Sequence, residues 1–132
     1  MTRSGDDAIR SIAERSARHP ELALVVLFGS RARTDATDRS DWDIGYVAGE
    51  GFERERFLAD LVATLATERV DLVDLERAGG LVRFRAARDG IPVFEATERA
   101  FARFWFDAVS FWCDAGPVIR AGYDDLLAEL SR

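Results

Sequence analysis

The feature that most constrains this chain is an apolar run, Leu22 to Phe28, that stops at Gly29-Ser30. After ten intervening residues, Asp41 and Asp43 open a second apolar run through Val47. Seven consecutive apolar residues bounded by turn-formers predict a buried strand. On a strand, side chains two apart share a face, so Asp41 and Asp43 present paired carboxylates on one side and Trp42 goes to the other. Two neighbouring carboxylates repel each other and make a poor core. They make a good holder for hard divalent cations, which prefer oxygen ligands.

The Gly29-Ser30 turn adds backbone N–H groups and a hydroxyl at the start of a short helix, which suits an anion. Arg31 and Arg33 follow directly, and guanidinium forks fit phosphate oxygens. A phosphate cradle beside a metal-binding carboxylate pair is the equipment for phosphoryl or nucleotidyl transfer.

Absences narrow the chemistry further. Lysine, asparagine and glutamine do not occur, so all 18 basic residues are arginine. A P-loop lysine and a Schiff-base lysine are thereby excluded. His19 is the sole histidine. A two-histidine metal site is impossible in one chain, and His19, in a polar linker before Pro20, reads as structurally incidental. The net charge of −6 argues against a nucleic-acid groove. No run approaches the ~20 apolar residues of a membrane span. The lone Cys113 has no partner for an internal disulfide, and the first residues lack a signal-like apolar segment. A cytoplasmic location is the expectation.

Hydrophobic periodicity predicts a helix after Asp6 and Asp7, a strand at Leu22–Phe28, a polar loop over Thr34–Ser40 and a strand at Asp43–Val47. An amphipathic helix from Phe52 to Leu65 follows, then a strand at Val70–Leu75, a short helix at Ala78–Arg88 closed by Gly90, and a strand at Ile91–Phe94. Asp71 and Asp74 lie three apart on the third strand and face opposite sides, so only one can join Asp41 and Asp43. Asp74 can instead cap the segment that follows. Arg83, Arg85 and Arg88 read as a solvated helix face, with a nucleotide or partner contact as the alternative.

Beyond Phe94 the chain becomes aromatic. Phe101, Phe104, Trp105, Phe106, Phe111 and Trp112 crowd one predicted helix, and a last helix is expected over 118–130 after Gly116-Pro117. A helix aromatic on more than one face must bury the surplus against something else, so a protein interface is expected there.

The Gly29-Ser30, ten residues, Asp41-x-Asp43 pattern resembles the nucleotidyltransferase superfamily that includes DNA polymerase β. The Arg31-Ala32-Arg33 continuation and the small size resemble its minimal branch, with a departure at Thr34, where glycine is common. The resemblance implies an α/β (α+β) fold: a small mixed sheet flanked by helices, in one domain over 1–132, with a core of about 20–95 and C-terminal helices over about 96–131. It favours Asp71 as the third carboxylate. It implies two Mg²⁺ ions held by Asp41, Asp43 and Asp71, with Gly29, Ser30, Arg31 and Arg33 on the nucleotide, and ATP as substrate.

The length and the C-terminal helices resemble the minimal nucleotidyltransferase antitoxins paired with HEPN ribonuclease toxins. Members of that family transfer AMP to a toxin tyrosine, which implies a hetero-oligomeric HEPN partner. The rival readings are a small-molecule enzyme of the aminoglycoside-modifying kind and an antitoxin acting by contact alone. The 132 residues leave little room for the acceptor domain of the former.

Overall fold

The structure is a computed structural model and describes residues 5–33, 40–114 and Ala128. Most of the loop expected at 34–40, with Thr34, and the last helix expected over 118–130 lie outside the described residues, Ser40 and Ala128 excepted. In chain order the elements are α1 (Gly5–Ser16), β1 (Leu22–Phe28), a 3-10 turn (Gly29–Arg31), β2 (Trp42–Ala48), α2 (Arg54–Leu65), β3 (Val70–Asp74), α3 (Gly80–Asp89), β4 (Ile91–Glu95) and α4 (Ala100–Asp114).

The strands form one mixed sheet in the order β3-β2-β1-β4. β1 runs antiparallel to both β2 and β4, and β2 runs parallel to β3. Helices cover both faces, which is why β1 is apolar throughout rather than alternating. Val25 and Leu27 face α1 and α2, joining Ile12, Ile44, Phe57, Leu61 and Leu72. Leu24, Val26 and Phe28 face α3 and α4, joining Leu75, Ala86, Phe104 and Ala108. Leu22 breaks the alternation and packs with the first group. A register shift between Leu22 and Leu24 re-aims it, as a bulge does. Each fully buried large side chain contributes about 1.5–3 kcal/mol through removal from water.

Several boundaries differ from the sequence reading for local reasons. Asp6 and Asp7 occupy the first turn of α1 rather than preceding it, where their charge complements the helix dipole. α3 starts at Gly80 rather than Ala78, because Asp74 organises a turn of its own. Its Oδ1 accepts from the Glu76 amide at 3.0 Å, and its carbonyl accepts from Arg77 and Ala78 at 3.2 and 2.9 Å. Asp74 therefore caps that turn, while Gly79 stands before the helix. His19 is a satisfied core residue. Its Nε2 lies 2.8 Å from Asp60 Oδ2, and its ring meets Phe57 edge-on at 5.0 Å.

On α4, Ala100, Phe104 and Ala108 recur every four residues and are buried against α3 and the sheet. Trp112 stacks on Phe84 of α3 at 4.6 Å. Trp105, Phe106 and Phe111 remain 44%, 65% and 48% exposed. The expectation of surplus aromatics holds for these three side chains. No helix among the described residues is long and apolar enough to cross a membrane.

Candidate active site

The sheet brings together one end of β1 with the starts of β2 and β3. Phe28, the last residue of β1, pairs with Asp43 of β2, and Asp43 pairs with Asp71 of the parallel β3. Residues paired across strands point to the same face, so Asp43 sits between Phe28 and Asp71 on the face that α3 and α4 cover. Asp41 precedes β2 and lies two residues from Asp43. Asp74 belongs to the other face, where its carboxylate and burial together raise the pKa of the Tyr46 hydroxyl, burial being the larger cause. The parity of the third strand thus sets Asp71, not Asp74, beside Asp43.

Gly29 explains how the turn and the carboxylate approach so closely. Its φ of +71° is a left-handed conformation that glycine adopts without cost. A Cβ at this position would also fall on the Asp43 carboxylate. Any other residue here meets both penalties. Ser30 follows in the same turn, whose Gly29 carbonyl accepts from the Ala32 and Arg33 amides at 3.1 and 3.2 Å. The expected short helix is therefore a single 3-10 turn, Gly29–Arg31. An anion there would rely on backbone N–H groups and the Ser30 hydroxyl more than on a helix dipole.

The electrostatics make Asp43 the centre of the cluster. Burial raises its pKa, and the negative charges of Asp71 and then Asp41 raise it further, while Arg85 and Arg33 act in the opposite sense. Folding thus raises the proton affinity of Asp43 above its ordinary value. Stability falls as pH rises from the ordinary carboxylate value of 3.8 through the raised value, because folding then holds an ionised group among like charges. Asp43→Asn should melt above the wild type at neutral pH, with the gain shrinking as the solution is acidified. Thermal melts of both proteins across that pH range check this; a variant that melts lower at neutral pH contradicts it.

The two arginines of the motif part company. Arg31 donates through Nε and Nη2 to the Ser40 carbonyl at 3.2 and 3.0 Å, and its guanidinium lies 4.4 Å from the Trp42 ring centre. Trp42 packs with the α1/α2 core, opposite Asp43. Arg31 thus joins the two flanks of the 34–39 segment, while Arg33 is the one whose charge reaches Asp43. Nothing in the sequence separates Arg85 from its neighbours on α3. Its half-buried cation lowers the pKa of Asp43, and the only signal in the sequence is its membership of an arginine cluster.

Among the described residues, no three His, Cys, Asp or Glu side chains close into a preformed metal cage. Asp41, Asp43 and Asp71 nevertheless fit Mg²⁺. They are hard oxygen donors, Asp71 and Asp41 close enough to raise the pKa of Asp43, and Mg²⁺ characteristically takes one or two carboxylates, several waters and substrate phosphates. The raised Asp43 pKa is the cost that a bound cation would remove.

Comparison with known proteins agrees with this geometry. The family described as "Polymerase beta, Nucleotidyltransferase" matches residues 10–99. The protein adenylyltransferase MntA of Aphanizomenon flos-aquae (strain 2012/KM1/D3) is 29% identical over 97 residues, covering 64% of this chain. The match spans 65% of that relative, just under two thirds of its length. Among solved structures, a chain of a toxin-antitoxin crystal structure with AMP-PNP superimposes with a TM-score of 0.74 at 24% identity, covering 90% of this chain and 98% of that one. A chain from the structure of tri-AMPylated Shewanella oneidensis HEPN toxin in complex with MNT antitoxin gives 0.71 at 23% identity, covering 94% and 99%. These two share the fold. With the family match extending over most of its length, from β1 through β4, this chain belongs to the polymerase beta nucleotidyltransferase family.

Proposed function

We propose that this protein is an antitoxin that transfers AMP from ATP to a tyrosine of a cognate HEPN-family toxin. The observation that carries the reading is the pairing of Asp43 with Asp71 against a Gly29-Ser30 turn shaped to admit the Asp43 carboxylate. The name of the MntA relative and the toxin-antitoxin complexes among the structural neighbours support AMP transfer and a HEPN partner. The stretch of about 20–95 would form the catalytic core of a single domain, with the helices from about 96 onward serving recognition.

In this reading Asp41 and Asp43 would hold two Mg²⁺ ions, and Asp71 would share the one on the acceptor side. The bound Mg²⁺ would supply charge neutralisation at phosphorus and a lowered acceptor pKa. Gly29 and Ser30 hold the β- and γ-phosphates, and Arg33 adds positive charge beside them. The acceptor oxygen bonds to the α-phosphorus as the bond to the bridging oxygen breaks, its electron pair leaving with pyrophosphate. The hydroxyl proton passes toward Asp71 and solvent. No covalent protein intermediate is required, so the chain contributes position and electrostatics.

An Asp41→Asn, Asp43→Asn protein tests the site. Each change removes an anionic oxygen while nearly keeping shape, so the fold survives and Mg-ATP affinity falls by at least about tenfold, the scale of one lost charge-assisted contact. Calorimetry that finds equal Mg-ATP affinity in variant and wild type removes the proposed site.

A further inference from the structure

We propose that Arg85 binds the β,γ-phosphates of the nucleotide alongside Arg33, with Asp89 as the positioning residue that serves both arginines. The inference rests on the AMP-transfer reading and adds the cationic half of the site, which α3 supplies.

The three arginines of α3 go to three different places. Arg83 lies with its guanidinium 5.7 Å from the Phe104 ring centre and lines a separate cavity of about 230 Å³ with Leu75, Glu76 and Asp107. That cavity lies by Leu24 and Val47, at the end of the sheet away from the carboxylates. Arg88 is held by a two-pronged bond to its neighbour Asp89, at 3.0 and 2.7 Å. Arg85 is half-buried, and among the described residues it makes no hydrogen bond or close ion pair. A partly desolvated guanidinium is costly unless an anion comes to hydrogen-bond it.

Its surroundings say which anion. Arg85 and Asp89 are four apart on α3 and share a helix face. Asp89 Oδ2 also lies 3.8 Å from Arg33 Nη1, so one carboxylate links α3 to the segment after the 3-10 turn. Its bonds to Arg88 first, then the charges of Arg33 and Arg85, hold the Asp89 carboxyl below the ordinary range, so it is a permanent anion at neutral pH. Small residues let the helix come this close. Ala86 and Ala87 are buried against the sheet, and a Cβ on Gly90 would strike Val26 and the Ala86 carbonyl. Arg33, just beyond the Gly29–Arg31 turn, and Arg85, one helical turn before Asp89, thus bring positive charge toward a carboxylate cluster that itself calls for metal and phosphate. Negative charge grows on pyrophosphate as the bridging P–O bond breaks, which is where two guanidinium groups have the greatest effect.

Calorimetry on the full chain in Mg²⁺, with a non-hydrolysable ATP analogue and with AMP as probes, tests this. Arg85→Gln should weaken the analogue on the order of 10–100-fold and leave AMP unchanged. Arg85→Lys, which keeps the charge but loses the fork, should fall between. Asp89→Asn should produce a smaller loss with the same selectivity, and melting curves confirm that each variant is folded. Unchanged analogue affinity in folded Arg85→Gln, or an equal loss for AMP, overturns this inference while leaving the functional reading standing. A wild-type protein that binds neither probe overturns the functional reading, and this inference with it.

Discussion

Asp71→Asn should lower AMP transfer by roughly 10²–10⁴-fold, the usual scale for losing a group that activates an attacking hydroxyl. Mg-ATP affinity should change little if, as proposed, Asp41 and Asp43 carry the nucleotide side of the site. Asp74→Asn should keep most of the activity. The two residues are only three apart, yet they lie on opposite faces of β3: Asp71 pairs with Asp43, and Asp74 pairs with Tyr46. The Asp74 side chain already serves the turn into α3 and an ion pair with Arg77 at 3.8 Å. Losing it should cost about 0.5–2 kcal/mol of stability, as loss of a cap does. Single-turnover kinetics on both variants separates transfer from binding. An inactive Asp74→Asn beside an active Asp71→Asn would contradict the geometry of the site.

The second large effect is expected on α4, where catalysis and recognition should separate. Phe106→Ala with Phe111→Ala removes two exposed rings, 65% and 48% accessible, that contribute little to the core. Partner association should weaken by about 2–4 kcal/mol if these rings anchor the interface, while melting shifts only slightly. Phe104→Ala makes the contrast. That ring is buried between α3 and the sheet, so its loss should destabilise the fold by about 3–5 kcal/mol. Melting curves and partner binding measured on the same proteins distinguish the two outcomes. A double variant that melts much lower would place Phe106 and Phe111 in the core instead.

The features legible in the sequence are those set by short-range geometry. The turn at Gly29-Ser30 ends β1 abruptly, and strand period divides Asp71 from Asp74, although β2 itself begins only at Trp42, after Asp41. The apolar runs mark four strands correctly because each is bounded by glycine, proline or charged residues. What could not be read depends on how distant elements meet. Arg31 and Arg33 look equivalent beside the motif, but Trp42 and the Ser40 carbonyl engage the first. Arg83, Arg85 and Arg88 look alike on α3, but Arg83 goes to the Phe104 ring and Arg88 to Asp89. The aromatic positions of α4 likewise do not reveal which stripe is buried. Ala100, Phe104 and Ala108 pack inward because small residues at the ends of that stripe let the helix close on its neighbours.

The central claim is that this protein acts by transferring AMP to its partner through the Asp41–Asp43–Asp71 cluster. The most direct measurement is the intact mass of the co-expressed HEPN partner, read together with its toxicity, for wild type and for Asp41→Asn, Asp43→Asn. With wild type, the partner should gain mass in whole AMP increments and lose its toxicity. The double variant should still bind the partner through α4, yet leave both mass and toxicity unchanged. A double variant that protects cells as well as wild type, with the partner's mass unaltered, would contradict the claim and make contact alone the neutralising event.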